Sequence, residues 1–143
     1  MADQDDIWNE EKISIIRDLF IRNNAQVILH NGVHFNESNE LYPIIKLYKS
    51  GFVQNLFKSS YWGCCMAFRK NYIDKFMPFT NSSIAHDQLI GLFAEYDSVS
   101  FFCNQNLIMH RVHSSNQSTN LRMINKIYFR LRILMDFIKN YKK

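Results

Sequence analysis

The sequence predicts an α/β fold. Three observations lead there: strand-type and helix-type segments alternate along the 143 residues, the composition is that of a packed chain, and no apolar run is long enough for a membrane span. Hydrophobic residues make up 47% and charged residues 21%, with 4 Gly and 2 Pro, which excludes long disorder and allows one domain with a real core. The first ten residues are acidic, a pattern that predicts no secretory signal. Cys64, Cys65 and Cys103 are odd in number and lack CxxC spacing, so they read as reduced thiols and not as a zinc framework.

The elements follow in order. Asn9 is placed to cap a helix over about 10–22, where Ile13, Ile16, Leu19 and Phe20 recur at helical spacing. QVILH at 26–30 predicts a short buried strand, and NGVHFNESNE a polar loop. Pro43 and Gly51 interrupt residues 41–60, which read as short helical pieces. GCCMAFRK at 63–70 has strand character running into a short helix over about 70–76. Asp87 begins or caps a helix carrying Leu89, Ile90, Phe93 and Ala94 on one face. VSFFC at 99–103 and LIMHRVH at 107–113 predict two strands joined by a turn at Asn104-Gln105-Asn106. A long helix fills about 119–141.

That last helix holds the basic charge. Residues 119–143 carry 7 Lys/Arg against the single Asp136, whereas residues 1–118 carry 10 against 12 Asp/Glu. The body is therefore not a nucleic-acid-binding surface. Leu121, Ile124, Tyr128, Leu131, Met135 and Ile138 form one apolar seam, widened by Ile127, Leu134 and Tyr141. Two fates fit such a helix: lying on an anionic membrane surface, or packing on its own domain with its charges solvated.

Chemistry concentrates in four stretches. Asp3, Asp5 and Asp6 can be a solvated acidic terminus or a site for Mg²⁺ or Mn²⁺, hard ions that take oxygen ligands. Asp87 reads, from its own surroundings, as a helix cap. Trp8 reads as core, and Trp62 stays open between core and sugar contact. His110 and His113, three apart near a strand end, face opposite ways and do not share a zinc. His30, His34 and the cysteines receive no role.

Taken together, ADQDDIW with Lys12, then GCCMAFRK, HDQLIGLFA and HRVHSSNQS, resemble in the same order the landmarks of glycosyltransferase family 2, especially its bacterial rhamnosyltransferase-like members. The resemblance covers about 2–118 and implies an A-type, Rossmann-like mixed sheet, with 119–143 as an appended basic amphipathic helix. It implies inverting transfer from a nucleotide-diphosphate sugar to a glycan or lipid-linked acceptor, in cell-surface polysaccharide or lipopolysaccharide synthesis. In that scheme Asp3 and Asp5 hold the Mg²⁺ or Mn²⁺, Asp87 is the catalytic base, and Arg111 and His113 meet the diphosphate. Trp62, Gly63 and His86 stand on the acceptor side. The family usually carries Tyr where this chain has His110.

The same resemblance places a nucleotide-binding half of the sheet before the acidic motif. The chain then reads as the C-terminal portion of such a domain, marginal alone, with a sheet edge open to dimerisation. The expected location is cytoplasmic, peripheral on the inner face of the plasma membrane. A reading from another class is a non-catalytic remnant that binds a membrane or a partner. A metal-dependent phosphohydrolase also suits the carboxylates but lacks a nucleophile motif.

Overall fold

Two apolar runs, Val27-Ile28-Leu29 and Leu107-Ile108-Met109, need cover on both faces of their strands. The computed structural model describes residues 5–36, 38, 40–43, 48–77, 86–112 and 123–141, and within these the cover comes from helices on both sides. In chain order the elements are β1 (Ile7–Trp8), α1 (Lys12–Arg22), β2 (Val27–Phe35), β3 (Leu41–Pro43) and α2 (Phe52–Phe57). A 3₁₀ turn (Gly63–Cys65) then leads into β4 (Met66–Phe68), α3 (Lys70–Ile73), α4 (His86–Tyr96), β5 (Ser100–Arg111) and α5 (Met123–Tyr141).

The result is a mixed α/β fold on an open five-stranded sheet ordered β1-β5-β2-β3, with β4 pairing the other end of the β2 edge. β2 and β5 run parallel; the remaining pairings are antiparallel. Ile28 joins Ile16, Ala25, Cys103 and Leu107 under α1. Val27 and Leu29 point the other way, into the larger core of Tyr61, Phe76, α4 and α5.

Several sequence expectations change. β2 does not stop at His30 but runs to Phe35 through residues read as a loop. Pairing explains it: Asn31, Val33, His34 and Phe35 all find partners on β5, and a parallel ladder satisfies their backbone whatever their polarity. Nor do residues 100–111 form two strands. Asn104–Asn106 is absorbed as an irregularity in one continuous β5, where the register jumps from His30↔Cys103 to Asn31↔Asn106. Asn31 Nδ2 donates to Asn104 Oδ1 at 2.6 Å across that point. Among the described residues of 41–60 there are a strand and a short helix, β3 and α2, where helical pieces alone were expected. Asn9 does not cap α1: the cap position is Glu11, with no side-chain cap bond, and Asn9 instead closes a turn ahead of the helix, its side-chain oxygen accepting the Glu11 N–H at 2.9 Å.

Helix α4 is not one-faced: every residue from Gln88 to Ala94 is buried. Helix α5 and the segment around Tyr61 cover the side left open by the sheet. Contact with Tyr61 is so close that a β-carbon on Gly91 would lie 2.3 Å from the ring. Tyr61 is 1% exposed, and its hydroxyl is tied to Glu95 of the same helix. Glu95 also accepts from Tyr48 at 3.0 Å and from the Gly51 N–H, so one carboxylate fixes the segment before α2.

Helix α5 packs on the domain, through a face the sequence did not single out. Ile133, Phe137 and Asn140 are buried, and Phe129 and Tyr141 pack on the core. Tyr128, Leu131, Met135 and Ile138, four members of the predicted seam, are exposed. Among the described residues no helix is long and apolar enough to cross a membrane.

Gly91→Ala should destabilise the protein by about 2 kcal/mol, although alanine is normally the better helix former by about 1 kcal/mol. The tethered Tyr61 ring has nowhere to retreat. Urea denaturation measures this, and an unchanged or raised midpoint would contradict the Gly91–Tyr61 contact.

A candidate polar centre at the end of β5

The acidic opening turns inward at Asp6. Its side chain is fully buried (0% exposed), that of His110 is 17% exposed, and the His110 ring Nδ1–H donates to Asp6 Oδ1 at 2.7 Å. Strand pairing sets this up, because β1 lies on β5 with Ile7 opposite Met109 and Trp8 opposite Ile108. Asp6 is thus delivered one step beyond the pairing, beside His110.

Around this pair the sheet gathers rings. His34 is the register partner of His110, and their rings stand 5.5 Å apart. Trp62 lies 5.3 Å from His34 and 5.9 Å from His110, and Tyr42 lies 5.4 Å from His34 on the outer side. Burial, with His110 alongside, pushes the His34 ring below its usual range. Further along β2, burial takes His30 down to about 4, so it stays neutral near pH 7.

One cation lies inside. Lys12, on the first turn of α1, is 3% exposed; its ammonium donates to the Cys64 carbonyl at 3.2 Å and stands 4.4 Å over the Trp8 ring. Burial lowers its pKa, against the opposing pull of Cys65, Cys64 and Asp6. The hydrogen bond with Cys64, together with burial, pushes the Cys65 thiol up. Trp8, expected in the core, is 43% exposed instead, because a two-residue edge strand buries little.

Asp6, Cys64 and His110 place one donor atom each within 4.8 Å of one another. An oxygen, a sulfur and a nitrogen suit a borderline ion such as zinc, whereas Mg²⁺ takes oxygen. This set therefore does not fit the Mg²⁺ or Mn²⁺ expected at Asp3 and Asp5. Asp5, partly buried, adjoins it; Asp3 lies outside the described residues.

The other expected site residues divide. Trp62 and Gly63 adjoin the centre through Cys64 and the Trp62 ring contacts. Arg111 follows His110 on β5, and its guanidinium covers the Phe35 ring at 4.3 Å. Asp87 sits in the first turn of α4, where its carboxylate accepts the Gln88 N–H at 2.8 Å, and His86 is exposed beside it. His113 lies outside the described residues. Lys12, His34, Cys64 and His110 received no role from sequence. Lys12 stood in the quoted acidic motif, and His110 at a noted departure; those were the available signals.

Removing one member of a buried pair costs about 3 kcal/mol, because the other is left uncompensated. Asp6→Ala should lose about that much in urea denaturation, while His110→Asn, whose side-chain N–H₂ falls near the place of the ring Nδ1, should keep more of the native stability. An Asp6→Ala protein as stable as wild type would contradict the pair.

No protein-family model, no curated protein and no solved structure matches this chain. Its function is therefore read from these residues alone.

Proposed function

We propose that the protein is a glycosyltransferase domain of the A-type, inverting, which moves a sugar from a nucleotide-diphosphate donor to a glycan or lipid-linked hydroxyl. One observation supports the reading above all. Three segments that resemble transferase landmarks, at Asp5-Asp6, at Trp62-Gly63-Cys64 and at His110-Arg111, meet around one buried pair although they lie some fifty residues apart in sequence. An accidental acidic terminus gives no reason for that meeting.

In this reading Asp87 removes the acceptor hydroxyl's proton as that oxygen bonds to the anomeric carbon. The bond from that carbon to the diphosphate breaks on the opposite face, and the nucleoside diphosphate leaves with the electron pair. Arg111 offers a planar fork of donors for phosphate, with His113 beyond it in the chain. Trp62 offers a ring face to the acceptor sugar, next to Gly63, and His86 flanks the base. Asp3 and Asp5 would hold Mg²⁺ or Mn²⁺, which when bound offsets diphosphate charge.

Calorimetry with UDP, GDP and dTDP in the presence of Mn²⁺ tests donor binding. Saturable binding to one of them should weaken about tenfold or more in Asp5→Asn and in Arg111→Gln. Asp87→Asn should leave that affinity intact and lower sugar transfer roughly 10²-fold. No binding to any nucleoside diphosphate, or undiminished transfer by Asp87→Asn, would overturn the reading.

A further inference from the structure

Helix α5 has two apolar faces, and the fold uses one. At about 100° per residue, Phe129, Ile133, Phe137 and Asn140 cluster on the side that meets the core. Ile127, Tyr128, Leu131, Met135 and Ile138 fall on the diametrically opposite side, and each is between 44 and 66% exposed. An outward stripe of five large apolar residues on one helix is unusual for a surface that meets only water.

Charge identifies what it meets. Arg130 borders the stripe on one side, and Arg132 and Lys139 border it on the other. Arg130 donates to the Phe57 carbonyl at 3.0 and 2.7 Å, which sets the exposed Phe57 ring of α2 beside the stripe. The only acidic residue in 119–143, Asp136, is buried on the opposite, docked face. A second copy pressed against this stripe would set one +6 segment against another, with no carboxylate between them. An apolar strip flanked by cations matches a lipid surface that is apolar within and anionic at its headgroups.

We propose that the outward face of α5, with Phe57, docks on an anionic membrane surface, the helix lying in its plane. This is independent of the transferase reading. Each cation near such a surface strengthens binding about fivefold, and the apolar strip supplies the remainder by insertion.

Flotation of the full chain with vesicles tests it, comparing phosphatidylcholine containing about one-third phosphatidylglycerol with phosphatidylcholine alone. The protein should float with the anionic vesicles and remain behind with the neutral ones. The triple variant Leu131→Ser, Met135→Ser, Ile138→Ser should lose at least tenfold in partitioning while keeping its thermal transition, since those side chains touch no core. Arg132→Gln with Lys139→Gln should lose about twentyfivefold. Flotation that ignores lipid charge, or that survives the triple substitution, would overturn the proposal. So would no flotation accompanied by a dimer that the triple variant dissociates, which would make a second copy the occupant.

Discussion

The parallel pairing of β2 with β5 is the constraint from which the rest follows. Parallel neighbours cannot be joined by a tight turn, so the chain between Phe35 and Ser100 must cross over the sheet. That crossover carries β3, β4, the 3₁₀ turn and α2 through α4, and so brings Trp62 and Cys64 to the strand ends. The pairing also sets His34 opposite His110 and leaves the far side of β5 for β1, which delivers Asp6. No local preference in any one segment could have assembled these residues.

Charge inside the fold is arranged around that meeting point. A fully buried carboxylate is costly unless partnered, and here His110 meets it directly while the Lys12 ammonium supplies the opposite sign nearby. Lys12 in turn is held by the Cys64 carbonyl and the Trp8 face, so α1, β1 and the 3₁₀ turn share one polar anchor. Rings of His34, Trp62 and Tyr42 close it from the side. Polar groups assembled at this expense in a small domain are the pattern expected of a site, and a solvated acidic surface needs none of it.

Much of the fold was legible in the sequence because local periodicity decided it. Helices α1 and α4, the start of β2 and the α/β class all follow from spacing. What was not legible depended on partners. The Asn-rich stretch at 104–106 has turn chemistry, yet the ladder with β2 absorbs it; polar Asn31 and His34 read as loop until β5 lies alongside. In α5 the sequence showed one apolar seam, yet the core took the other side of the helix through Ile133 and Phe137. The site shows the same division. Position Asp6 was visible as one carboxylate among three, but its role required His110, 104 residues away.

The central claim is that the three segments form one site, and paramagnetic broadening reads that directly. Mn²⁺ with a nucleoside diphosphate, added at substoichiometric levels to ¹⁵N-labelled protein, should broaden the amide signals of Asp5 to Trp8, Trp62 to Cys64 and Met109 to Arg111 together, and spare α5. Broadening confined to one of those segments, or spread along α5, would contradict it.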